Sequence, residues 1–188
     1  MKKRTAPRLA ALAALIALSA TADDPAPVVR LETSAGNIDI ELFPAESPRT
    51  VENFLALVDE SFYDGLIFHR VIASFMIQAG GYDAAMNYRK APRQVVNESA
   101  NGLSNTRGTV AMARTSDPDS ADAQFFINAK DNVYLDARGR QPGYTVFGRV
   151  IAGMEAASAI ESSETHRRKG MADVPVENIV ILSATRLK

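Results

Sequence analysis

Three polar side chains interrupt the most apolar run outside the amino terminus: His69, Arg70 and Gln78, in Phe68-His69-Arg70-Val71-Ile72-Ala73-Ser74-Phe75-Met76-Ile77-Gln78-Ala79-Gly80-Gly81. Burying a polar group without a partner costs about 1–3 kcal/mol on protein mutational scales. The three are therefore either satisfied structurally or aimed into a cleft. The run reads as two short strands, Ile67–Ile72 and Phe75–Gln78, joined by a tight corner. In regular strands Phe68, Arg70 and Ile72 share one face, and Met76 and Gln78 share another. A fixed cation and a fixed amide then stand beside Phe75 and Met76. The competing reading is a core strand whose Arg70 pairs with an acid at a sheet edge, and spacing alone does not separate the two.

Other chemistries are poorly served. The chain has two histidines, His69 and His166, in no metal-ligand spacing, and no cysteine. A His-rich or thiolate metal site and a nucleophilic thiol are thereby excluded. A Ser–His–Asp triad would need His69, flanked by apolar residues, or His166 in a charged stretch, and no serine sits in a Gly-x-Ser-x-Gly turn. Gly80-Gly81 lacks the helix and lysine of a phosphate-cradling loop. What remains can bind, and can catalyse a reaction that makes and breaks no covalent bond.

Several elements must position these residues. Val28–Thr33, the turn Ser34-Ala35-Gly36-Asn37 and Ile38–Leu42 alternate as a hairpin. Ser47 fits a helix N-cap and Pro48 the first helical position. Val51, Phe54, Leu55 and Val58 follow as one apolar stripe. Residues 80–106 have no period, and a connection that long is usually functional or a packed surface loop. Further strands are expected at Gly108–Arg114, Gln124–Asn128, Tyr144–Val150 and Val176–Ala184, and a second helix at Gly153–Ser162. Asp117-Pro118-Asp119 and Arg138–Gly143 read as turns, Asn132–Leu135 as a turn or single helical turn, and Ser163–Val174 as a charged loop. Many short strands with two isolated helices suggest an antiparallel barrel or sandwich with helices over its open ends.

Residues 1–22 read as a secretory signal peptide: a basic start (Lys2, Lys3, Arg4, Arg8), the apolar run Leu9–Ser19, and the small-residue site Ala20-Thr21-Ala22. The run is too short for an ordinary membrane-spanning helix. Removing its four cations takes the formal charge from −1 to −5. A mildly acidic domain, residues 23–188, is a poor candidate for nucleic acid or anionic membrane. Asn97-Glu98-Ser99 fits an N-glycosylation acceptor, but the bacterial look of the leader argues against its use.

The organising run also resembles the signature of the cyclophilin-type peptidyl-prolyl cis-trans isomerases. The likeness extends from about Val28 to Leu182 through three further blocks: Asn101–Thr115, Ser120–Asn128, and Tyr134-Leu135-Asp136 with Val146–Val150. Exported bacterial members are the most similar. The resemblance implies a mainly β fold, a closed eight-stranded antiparallel barrel capped by two α-helices, with substrate bound in a groove outside the barrel. It implies catalytic roles for Arg70, Phe75 and Gln78, and substrate contacts from Met76, Ala113, Arg114, Gln124, Phe126, Tyr134, Leu135 and Tyr144. Amide rotation removes no proton, so His69 is expected to be structural. Each groove residue also has a plainer reading: Phe75, Phe126 and Leu135 as core, Gln124 as a tie between loops, Arg114 as a solvated cation.

The resemblance further implies no cofactor and no metal. Partners are expected to be proline-containing unfolded or partly folded polypeptides, met by a monomer in the bacterial periplasm, with no nucleic acid and no membrane insertion. This sequence departs from the family at Gln78-Ala79-Gly80-Gly81, which carries one residue more than the common Gln-Gly-Gly. Tyr134 stands where many eukaryotic members have Trp, Tyr144 where they have His, and Arg114 replaces an Asn. A phenol cannot supply an indole N–H, so weak cyclosporin binding is expected. Two alternatives stay open: a proline-peptide binding module or holdase with little turnover, and a small barrel carrying an apolar ligand inside.

Overall fold

The structure, a computed structural model, describes residues 25–187; the signal-peptide reading of residues 1–22 falls outside them. The first hairpin forms as its alternation demands, with β1 at Val28–Thr33 and β2 at Gly36–Leu42. Helix α1, Pro48–Asp59, buries Val51, Phe54, Leu55, Leu57 and Val58. β3 (Arg70–Ile72) is shorter than expected, and β4 (Met76–Ala79) keeps the expected length, set one residue further along. There follow β5 (Thr109–Met112), β6 (Phe125–Asn128) and β7 (Val146–Ala152), then α2 (Met154–Glu161). β8 (Thr165–Arg168), β9 (Met171–Pro175) and β10 (Ile181–Leu187) complete the chain.

One antiparallel sheet of eight strands runs β10-β1-β2-β7-β5-β6-β4-β3. It curls into a half-barrel but does not close: β3 and β10 are its two edges. This corrects the expected closed barrel. Backbone pairing across the gap occurs where Gly65 and Ile181 lead into the edge strands, with Gly65 N–H to the Ile181 carbonyl and Ile181 N–H to the Leu66 carbonyl, both 2.8 Å.

Three differences from the sequence reading have a tertiary reason. Phe68 does not share the face of Arg70; it is fully buried in the main core, because residues 66 and 67 pair with other segments and break strand regularity before β3. The last strand starts at Ile181 because β1 sets its extent, from Thr33 opposite Ile181 to Val28 opposite Leu187. The stretch read as a charged loop is the β8–β9 hairpin, turned by Lys169 (φ +48°) and Gly170 (φ +86°). Two successive positive φ values are those of the tight turn that matches strand twist.

The concave face is filled. Phe54 of α1 meets Tyr63, Phe125 and Phe147 at ring-centroid distances of 5.3, 5.7 and 5.1 Å. The Tyr63 hydroxyl donates to the Ala123 carbonyl at 3.0 Å. An interior packed with these rings leaves no room for a carried apolar ligand, which disposes of that alternative.

Helix α1 is capped from a distance. Ser47 Oγ donates to the Val146 carbonyl at 2.8 Å instead of capping its own helix. The first-turn N–H groups of Arg49 and Thr50 donate to the Glu98 carboxylate at 3.1 and 2.9 Å. An acid at a helix N-terminus satisfies orphan donors and the dipole together. Glu98 also ties down the long irregular segment. Glu98→Ala should therefore cost about 1 kcal/mol and lower the melting temperature by about 2–4 °C, measured by thermal unfolding.

Candidate active site

On the convex face, strand register builds one row of side chains. Arg70 of β3 lies opposite Gln78 of β4, Gln78 opposite Phe126 of β6, Phe126 opposite Ala111 of β5, and Ala111 opposite Val146 of β7. The next row holds Ile72 opposite Met76. Met76 and Gln78 thus share the face of Arg70, and Ile77 between them points to the core. Met76, Ala111, Phe126 and Val146 form a second apolar cluster, separate from the main core, against which Phe75, Ala113, Leu135 and Tyr144 pack.

A cleft of about 220 Å³ opens over this cluster, lined by Arg70, Phe75, Met76, Gln78, Ala113, Arg114, Phe126, Leu135 and Tyr144. Nine of the eleven residues named from sequence therefore meet in one cleft. Tyr134 stands at its rim, half exposed, stacked on Phe75 with centroids 6.2 Å apart. Gln124 lies just behind, its Oε1 accepting from Gln78 Nε2 at 3.1 Å. The Gln78 amide is thus held in orientation by a second amide. Arg70 meets both of its sequence readings. It lines the cleft, and from the sheet edge its Nε lies 4.0 Å from Asp173 Oδ2.

Arg114 is not a solvated cation. Its guanidinium donates to the carbonyls of Gly143, Thr115 and Pro142 at 3.1, 2.9 and 3.0 Å and lies 4.7 Å from the Tyr144 ring centroid. With its donors committed, it serves as a fixed wall. Tyr144 in turn meets Phe126 edge-on at 5.7 Å.

The glycine pair has a steric cause. Gly80 has φ +91°, and a Cβ there would lie 2.6 Å from the Ala123 carbonyl oxygen; a Cβ on Gly81 would lie 2.7 Å from the Gln124 side chain. Hydrogen atoms at both positions let the 123–124 backbone and the Gln124 amide approach β4. The additional Ala79 stays within β4, fully buried.

Sequence reasoning missed a buried amide ladder under the cleft. Asn132 Nδ2 donates to the Phe75 carbonyl and to Asn128 Oδ1, both at 2.8 Å. Asn128 Nδ2 donates to Asn105 Oδ1 at 3.2 Å, and Asn105 Nδ2 to Asp136 at 2.9 Å. Burial works against the charged form of Asp136, yet the Ser104 hydroxyl and Asn105 amides prevail and hold its carboxyl below the usual value. The ladder fixes Phe75 and the short turn Val133–Leu135 relative to each other. Its signal was available: two asparagines four residues apart, the first ending an apolar strand.

A larger cleft, about 450 Å³, lies between α1 and residues 93–96. Its cations are already paired, Arg93 with Glu60 at 2.8 Å and Arg49 with Glu52 at 3.4 Å, and no aromatic side chain lines it. Size alone does not make it the site.

His69 is buried beside Tyr82, ring centroids 4.8 Å apart. Burial pushes its pKa from 6.5 down to about 4, against hydrogen bonds to the Ile67 backbone and the Gln124 side chain, which favour the charged form. Between those values the unfolded chain binds the extra proton, so this residue lowers stability as pH falls through that window, by about 3 kcal/mol at the lower end. His69 imidazole resonances should stay those of the neutral ring down to about pH 5 in an NMR titration. Turnover should not follow its titration.

Residues 28–186 match the family described as "Cyclophilin type peptidyl-prolyl cis-trans isomerase/CLD". The chain is 53% identical over 159 residues to peptidyl-prolyl cis-trans isomerase cyp18 of Streptomyces antibioticus, covering 83% of this chain and 96% of that protein. It is 48% identical over 160 residues to peptidyl-prolyl cis-trans isomerase A of Dickeya dadantii, covering 85% and 84%. The fold is similar to a crystal structure of a Cryptosporidium parvum cyclophilin type peptidyl-prolyl cis-trans isomerase in the presence of the dipeptide Ala-Pro. That likeness has a TM-score of 0.71 at 28% identity and covers 86% of this chain and 99% of that one. A family match over most of the chain, with these relatives, makes this protein a member of the cyclophilin-type peptidyl-prolyl cis-trans isomerases.

Proposed function

We propose that this isomerase accelerates rotation about X-Pro bonds in exported proteins while they fold, with Arg70 as the group that stabilises the twisted amide. The observation that carries the reading is the single convex-face row that sets Arg70 and Gln78 beside the apolar floor of Met76 and Phe126. An X-Pro amide resists rotation because the nitrogen lone pair is delocalised into the carbonyl; the barrier is about 20 kcal/mol and exchange takes tens of seconds or more. A catalyst must bind the twisted amide better than either planar form. In the twisted amide the lone pair is localised on nitrogen and accepts a hydrogen bond. Arg70 is always cationic and carries five donors, so it can give that bond without a proton leaving the protein.

The remaining groove residues divide the other tasks. Phe75, Met76, Phe126 and Leu135 grip the proline ring. Gln78, oriented by Gln124, holds the peptide on one side of the bond. Ala113, Tyr134 and Tyr144 border the peptide's path, and Arg114, locked to its three carbonyls, keeps that border rigid. Lowering the barrier by about 7 kcal/mol gives about a 10⁵-fold acceleration. Substrates are proline-containing segments of unfolded or partly folded chains, handled by a monomer. Cyclosporin binds weakly, for want of an indole N–H at Tyr134. The periplasmic destination rests on the pattern of residues 1–22 alone.

Exchange NMR on a short Ala-Pro peptide tests the reading. Wild type should accelerate cis/trans exchange strongly. Arg70→Ala should lose at least about a hundredfold of it, as expected for a donor acting only in the transition state. Its melting temperature should stay near that of wild type, because a half-exposed side chain is removed and no core volume. Equal exchange by the two proteins would reject Arg70 as the acting group.

A further inference from the structure

We propose that Asp173 is a positioning residue of this isomerase, which holds the Arg70 guanidinium over the groove from outside the main sheet; the inference rests on the reading of Arg70 given above. Three observations meet at this residue. First, Asp173 is the one acid within 4 Å of the Arg70 guanidinium among the described residues. Second, Asp173 has φ +62°, in the left-handed region that residues other than glycine, asparagine and aspartate rarely occupy. Third, that residue lies in a register break of the β8–β9 hairpin: His166 pairs with Val174 and Arg168 with Met171, which leaves Ala172 and Asp173 facing only Arg167. Bulges of this kind re-aim a side chain, and they occur often beside active sites.

The hairpin packs where such aim has an effect. β9 lies against β3, the edge strand that carries Arg70. Its own anchorage is independent of Arg70. Val174 and Met171 pack on Ile67 and Met86, and Arg168 donates to the Ala84 carbonyl at 2.8 Å. The carboxylate is therefore delivered from a fixed base. A long, mobile cation that must meet a transient amide nitrogen loses less on binding if a neighbour restricts its arc. Both side chains are about 40% exposed, so the contact orients Arg70 and adds little to stability.

Asparagine and glycine both tolerate the left-handed backbone and both remove the charge. Exchange NMR with the Ala-Pro peptide should show Asp173→Asn and Asp173→Gly reduced about tenfold in kcat/KM, nearly all in kcat, with KM within about twofold. Neither melting temperature should fall, and the Arg70 Nε–H relaxation should show an ordered guanidinium in wild type and a mobile one in both variants. Wild-type exchange by both, with Arg70→Ala impaired, would overturn the role of Asp173 and leave that of Arg70. Wild-type exchange by Arg70→Ala would overturn both. Slower exchange with unaltered Arg70 order, or with a lowered melting temperature in both variants, would reduce Asp173 to another role and overturn the proposal.

Discussion

Arg70, Gln78, Phe126, Ala111 and Val146 stand in one row because each neighbouring pair of strands is locked by backbone hydrogen bonds and the pleat alternates faces with a period of two. A slip of one residue at β4 would turn Met76 and Gln78 inward and push Ile77 out. The cost of that slip is enforced on the other face, where Ile77, Val110, Phe125 and Ile127 are buried in the main core. The core thus fixes the groove without touching it. Burial on the concave side is what makes the convex side dependable.

A second set of constraints holds what the strands cannot. Phe75, Leu135 and Tyr144 lie on or beside turns, where no ladder specifies position. The amide ladder from Phe75 through Asn132, Asn128 and Asn105 to Asp136 performs that task inside the protein. Buried amides are worth having only when paired, since each unpaired group costs its desolvation. Glu98 does comparable work for the long irregular segment by holding it to the start of α1.

The sequence was legible wherever the determinants are local. The first hairpin, the stripe of α1 and the alternation within β4 follow from periods that neighbouring residues display. The convergence of nine distant residues in one cleft was not readable from spacing; the family resemblance supplied it. What stayed hidden depends on contacts remote in sequence. Phe68 faces the core because residues 66 and 67 pair elsewhere. Glu98 looked like part of a glycosylation triplet and caps a helix 50 residues away. The Ser163–Val174 stretch carries too many charges to read as strands, yet pairs as a hairpin because a lysine accepts a positive φ. Closure of the sheet was expected and does not occur, since β3 is too short to meet β10 along its length.

The shortness of β3 bears on how a substrate leaves. An unpaired strand edge is a template for any extended chain, and the partners of this enzyme are peptides. A long bare edge beside the groove would take them up by backbone pairing alike before and after rotation, and affinity spent equally on both states slows release without speeding the reaction. β3 offers three residues, and β9 packs against them. The same truncation gives a second copy of the protein little to pair with at this edge.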